Sequence, residues 1–152
     1  MLPSAWNNGK GVGAIFPVLP EHVPNLFDNS RDVFVKFTKL TGLKNGSVIV
    51  FYVSREKVLI GEGKIREVEK SDPETAWSRY KERIFLDKEE YDSYIKISPI
   101  GKEEMRELTV FTLEKTKKYR KPVDSIYTVT PSGRSVTQKM IDKIRQLSDA
   151  SL

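Results

Sequence analysis

Residues 47–54 read SVIVFYVS, and after three charged residues the chain continues as VLIGEGKIREVE over residues 58–69. The first stretch is apolar on both faces, which marks a central strand covered on both sides. The second is a long strand interrupted by Gly61 and Gly63, which fall on one face. Positions without side chains let a strand bend sharply or let another group approach its backbone. A doubly covered strand followed by a bent one is what a small barrel requires.

Upstream, residues 11–18 (GVGAIFPV) read as a first strand. Pro17 must sit at its end or on an edge, because proline donates nothing to a ladder. Residues 20–27 form a short helix with Val23, Leu26 and Phe27 inward. Residues 32–37 (DVFVKF) alternate: Val33, Val35 and Phe37 share one face, Phe34 and Lys36 the other. Leu43-Lys44-Asn45-Gly46 is a turn, and Asn-Gly is a strong hairpin signal.

Downstream, Asp72 caps a helix that Pro73 opens and that runs to about Arg83, with Trp77 and Tyr80 inward. Asp87-Lys88-Glu89-Glu90 has capping-box spacing and opens a second helix carrying Tyr91, Tyr94 and Ile95. Residues 106–119 are a long strand. Residues 121–130 are extended and turn at Pro131-Ser132-Gly133. Ser135 and Gln138 repeat the capping-box spacing before a final helix, where Val136, Met140, Ile141, Ile144 and Leu147 make one apolar stripe. The order β, α, β, β, β, α, α, β, β, α groups strands together. It predicts an α+β fold: a small mixed or antiparallel pseudo-barrel of five to six strands with short flanking helices and a C-terminal helix. Residues 1–10 are expected to be a flexible leader, 11–147 a single domain and 148–152 a tail.

The 152 residues suffice for one core without staples. There is no cysteine, which excludes disulfides, thiolate zinc sites and cysteine nucleophiles. No apolar stretch reaches membrane-spanning length and no signal peptide is read, so a cytoplasmic location is expected. The net charge is +5, and it is uneven. Residues 1–100 carry 15 basic and 14 acidic side chains, whereas residues 101–152 carry 11 and 7. Residues 115–121 (KTKKYRK) hold five cations in seven positions, a field that attracts polyanions. A charged edge that blocks strand pairing is the plainer reading of the same run.

Residues 33–122 resemble the PUA-like superfamily, especially its ASCH and EVE branches. The resemblance is carried by LKNGSVIVFYVSR, by VLIGEGKIREVE with its Gly-x-Gly, by the acidic helix FLDKEEYDSYI, and by LTVFTLEKTKKYRKPV, which ends in a basic segment and a proline. The whole chain is also similar to a group of small archaeal proteins of unknown function. The resemblance implies a pseudo-barrel with helices over its openings and binding of RNA or a modified nucleotide. The Gly-x-Lys-x-x-Glu stretch of the ASCH branch is not matched: the comparable place reads VFVKFTKLTG, with no glutamate following.

Cations for phosphate contacts are Lys36, Lys39, Lys44, Arg55, Lys117, Lys118, Arg120 and Lys121. A basic cleft at the barrel mouth, near Lys36, Lys39, Ser54 and Arg55, is expected to accept a nucleotide. Tyr52 and Tyr119 are candidates to stack on a base; Tyr119 is the better one, since packing in the barrel is the plainer reading of Tyr52. On a strand, Lys117, Tyr119 and Lys121 share one face and Lys118 and Arg120 the other, so one groove cannot use them all. Arg134 with the last helix could hold a phosphate, or mark an ordinary turn. A second reading is a small ASCH-like hydrolase, an amidohydrolase or ribonuclease. In it Lys36 or Lys39 activates Thr38 or Thr41, with Glu62 as acid/base. A protein-interaction domain is the third. The single histidine, His22, cannot build a triad or a metal site alone and reads as structural. Gly9-Lys10-Gly11-Val12-Gly13 precedes its strand, unlike a phosphate loop. No metal and no cofactor are expected.

Overall fold

The structure, a computed structural model, describes residues 12–97 and 107–149. The leader expected over residues 1–10, and residues 150–152 of the tail, lie outside the described residues, as do Gly9, Lys10 and Gly11 of the Gly-rich stretch. Six strands form one sheet: β1 (Gly13–Val18), β2 (Val33–Lys36), β3 (Val48–Val53), β4 (Val58–Ser71), β5 (Leu108–Asp124) and β6 (Arg134–Val136). The spatial order is β2-β5-β4-β3-β1-β6. β1 and β3 run parallel, and the other pairs are antiparallel. Among the described residues, four α-helices flank the sheet. A single 3₁₀ turn precedes α1 (Val23–Leu26); then come α2 (Pro73–Tyr80), α3 (Lys88–Ile97) and the C-terminal α4 (Gln138–Ser148).

β4 and β5 are the long strands, and their pairing is broken by irregularities near Leu59, Lys64 and Ile65. Bulges sharpen twist, and here they curl the sheet into a half-barrel. Gly61 explains how β4 passes so close to its neighbours. A Cβ there would stand 2.5 Å from the Lys117 carbonyl oxygen and 2.6 Å from Phe27 Cζ. The curl creates two cores. The inner one includes Phe16, Phe34, Phe51 and Phe111, with Phe34 and Phe85 rings 4.7 Å apart. The outer one, beneath α4, gathers Ile15, Val50, Leu59, Val136, Ile141 and Ile144.

The helix starts follow the sequence. The Asp72 carboxylate accepts from Thr75 N at 3.0 Å. Asp87 accepts from Glu90 N at 2.9 Å, and Glu90 accepts from Asp87 N at 3.0 Å, a complete capping box. Such a cap stabilises by about 1 kcal/mol.

Three expectations are corrected. The Asn45-Gly46 turn forms, with Ser47 N donating to Lys44 O at 2.9 Å, but it joins no hairpin. β2 pairs with β5, and β3 sits between β1 and β4, where its two apolar faces are both buried. Ser135 does not cap α4. Residues 134–136 pair with β1 as β6, and Thr137 caps instead, its hydroxyl accepting from Met140 N at 3.2 Å. The long strand does not end at Tyr119 but runs to Asp124 through Pro122. Pro122 is tolerated because it falls between the pairs Gly61↔Lys118 and Leu59↔Val123, where regular pairing is interrupted.

Candidate functional site

β6 covers β1 only along Gly13–Ile15, so residues 16–18 carry no strand on that side. β2 is the opposite edge of the sheet. The half-barrel therefore has a seam, bridged by side chains in place of a ladder. Lys36 Nζ donates to the Pro17 carbonyl oxygen at 2.7 Å. Thr38 Oγ1 donates to the Ser132 carbonyl oxygen at 2.6 Å, and Lys39 N donates to Ser132 Oγ at 3.0 Å. Pro17 suits this place: it has no N–H to leave unpaired, and its oxygen remains an acceptor.

A cleft of about 860 Å³ opens at the seam. Lys36 and Val35 of β2, and Pro17 and Val18 of β1, line it. Tyr52 and Ser54 enter from the end of β3, and Val129 and Pro131 from the loop before β6. The far wall is Phe85, Leu86 and the start of α3, which brings Glu89, Glu90 and Tyr94. Lys36 is 8% exposed. Burial pulls its amine down from 10.5 to about 8, because a low-dielectric setting disfavours the charged form. Its Nζ lies 5.5 Å from the Tyr94 ring centre and makes no ion pair among the described residues. His22 Nε2 lies 3.2 Å from Glu90 Oε2 in the same wall.

The expected cleft is at the barrel mouth, but its lining is not basic. Glu21, Asp87, Glu89 and Glu90 share the lining with Lys36 and His22. The reason is local: Asp87 and Glu90 are there to cap α3, and a helix N-terminus favours carboxylates.

Of the sequence candidates, Lys36, Tyr52 and Ser54 line the cleft. Arg55 stands at its rim, 3.4 Å from Glu21. Lys39 and Thr41 are exposed outside the lining, as is Lys44. Arg134 is exposed over the Tyr127 ring at 5.1 Å and donates to Thr128 O at 3.3 Å. Lys117, Lys118, Arg120 and Lys121 are exposed along the second half of β5. Tyr119 is only 4% exposed, with its ring in the outer core. Its hydroxyl donates to Glu62 Oε1 at 2.9 Å, and burial pushes its pKa up. Arg145 of α4 grips both oxygens of Glu62, with Nη2–Oε2 at 2.6 Å. Burial alone would raise the Glu62 pKa. Hydrogen bonds from Arg145 and Tyr119 more than offset this and hold it below the usual carboxylate range. Glu62 and Tyr119 thus fasten α4 to the sheet and stand apart from the cleft.

Sequence reasoning missed His22, Glu90, Phe85 and Tyr94 as cleft residues. The capping box was the available signal, since it fixes where the carboxylates of α3 stand. The pairing of His22 with Glu90 joins positions 68 residues apart and left no local trace.

Comparison with known proteins agrees with this architecture. The crystal structure of ASCH from Zymomonas mobilis superposes with a TM-score of 0.71 over 89% of this chain and 94% of that one, at 19% identity. A tyrosine-to-phenylalanine variant of that protein superposes equally well. The fold is therefore ASCH-like. The uncharacterized protein MJECS03 of Methanocaldococcus jannaschii is 32% identical over 102 residues, 63% of this chain and 94% of its own. The large ribosomal subunit protein uL22 of Ureaplasma parvum is 31% identical over 119 residues, 75% of this chain. The chain spans about a third of the length of that ribosomal relative, 35%. Residues 11–138 match the family described as Domain of unknown function (DUF365), and the chain belongs to that family.

Proposed function

We propose that the cleft binds a single nucleoside or modified base, as a module that handles RNA. The observation that carries this reading is Lys36: a buried amine lining an 860 Å³ cleft, with one hydrogen bond and no ion pair among the described residues. Tyr52, Tyr94 and Phe85 supply ring surface around it, and such rings stack on unpaired bases. The acidic rim disfavours a run of phosphates inside. Backbone contacts are assigned instead to the exposed cations of β5, Lys117, Lys118, Arg120 and Lys121, with Lys39, Lys44, Arg55 and Arg134 as further points of charge. A relative named as a ribosomal subunit protein is in keeping with an RNA partner. The cysteine-free composition suits a reducing, cytoplasmic setting.

Calorimetric titration with the ribonucleosides and with base-modified forms tests this. Binding is expected to fall at least tenfold in Lys36→Met and to persist in Glu62→Gln. Equal affinity in wild type and Lys36→Met removes Lys36 from the account.

Hydrolysis in the same cleft is the second reading. It is favoured by an amine near pKa 8 sharing a wall with the His22–Glu90 pair. Its acid/base would be Glu90, since Glu62 is held beneath α4.

A further inference from the structure

We propose that Lys36 captures carbonyl compounds covalently, its ε-amine condensing with an aldehyde or ketone seated in the cleft to give an imine. This rests on the reading that the cleft is the ligand site, and it narrows the ligand to one that presents a carbonyl carbon.

Three features of the site carry it. The amine is nine-tenths buried yet borders an open cleft, so it is reached from one direction only. Its bond to the Pro17 oxygen at 2.7 Å uses one N–H and fixes the nitrogen, leaving the lone pair of the neutral amine outside that bond. Val18, Val35, Phe85 and Leu86 give the cleft an apolar stretch of wall against which a carbonyl compound can pack. Burial also holds the amine near 8, so about one in ten is neutral at pH 7, against fewer than about one in a thousand for an ordinary lysine. A lysine desolvated in an apolar pocket is the usual activated amine.

The step balances without a redox partner. The nitrogen lone pair forms the C–N bond as the carbonyl pair moves to oxygen, giving a carbinolamine. One amine hydrogen moves to that oxygen, which takes up a further proton and leaves as water; the protonated C=N that remains keeps one N–H for the Pro17 oxygen. The His22–Glu90 pair lines the same cleft, and in this proposal it supplies the proton that the departing hydroxyl needs.

The experiment uses the full chain with pyridoxal as probe and sodium cyanoborohydride as trap, at pH 7, with the adduct sites mapped by peptide mass spectrometry. Lys36 is expected to be modified at least tenfold faster than the exposed Lys39 and Lys44, with the ratio shrinking above pH 10. Equal rates at all three lysines overturn the imine proposal, whatever nucleosides bind. A parallel reaction with saturating cytidine separates the two ideas. Slowed labelling of Lys36 supports both. Fast labelling that cytidine leaves unchanged keeps the imine proposal and counts against the nucleoside reading.

Discussion

The ε-amine of Lys36 meets the carbonyl of Pro17 at 2.7 Å across two strands that no backbone ladder joins. The contact closes the seam of the half-barrel and places a desolvated lysine against the cleft. One side chain thus serves the fold and faces the site, and its titration reports on both.

Stability should depend on pH through this lysine. Unfolded, it keeps its proton up to about 10.5; folded, it releases it at about 8. Between those values the unfolded chain binds more protons, so stability rises with pH. The rise is about 1.4 kcal/mol per pH unit and about 3 kcal/mol in total, and it is absent below about pH 8. Urea denaturation from pH 7 to 10.5 measures it. Lys36→Met should flatten the rise, since it removes the titrating group.

Glu62→Gln should loosen α4. A neutral amide cannot grip the Arg145 guanidinium at both oxygens, and the loss is about 2 kcal/mol, less than for a fully buried pair because Arg145 is 38% exposed. The wild-type carboxyl is held below its ordinary pKa, so its contribution is present above that value and lost as pH falls through the folded one. Denaturation at pH 7 and pH 3 should show a gap between wild type and variant that narrows in acid.

Two nearby glycines should respond differently to alanine. At Gly61 the new methyl would meet the Lys117 backbone oxygen and the Phe27 ring, and backbone cannot move aside. Gly61→Ala should cost about 2 kcal/mol or more. At Gly63 the nearest atom is Leu113 Cδ1 at 3.1 Å, the end of a side chain that can turn. Gly63→Ala should cost about 1 kcal/mol or less by the same measurement.

Reversing Lys117, Lys118, Arg120 and Lys121 to glutamate should weaken RNA binding at least tenfold and flatten its dependence on salt, as lost phosphate contacts do. All four side chains are exposed, so folding should be retained. Filter binding across a salt series reads this out. Unchanged affinity removes the β5 strip from the account.

Much of the architecture was legible in the residues. The doubly apolar run around Val50, the Gly61 bend and the Asp72 and Asp87 caps all obey local rules, and each forms. The stripe expected on the last helix forms in part: Ile141 and Ile144 are buried, whereas Val136 belongs to β6 and Leu147 is 42% exposed. Pairing was less legible. Asn45-Gly46 has the chemistry of a hairpin turn, yet which strands meet is decided by burial across the whole sheet. The site divides the same way. Lys36 read as a cation sharing a strand face with Phe34, but its partner Pro17 lies 19 positions earlier. Tyr119 sat among cations in sequence, whereas the outer core took its ring and Glu62 took its hydroxyl. Alternation says which face a residue takes, and α4 decides whether that face is wet.

The most direct test is an NMR titration of the Lys36 side chain, followed through its ε-carbon with and without nucleoside. The account predicts a midpoint near pH 8 in the free protein and a clear displacement of the signal as ligand enters the cleft. A midpoint at the ordinary lysine value, with a signal indifferent to every nucleoside tried, would contradict it.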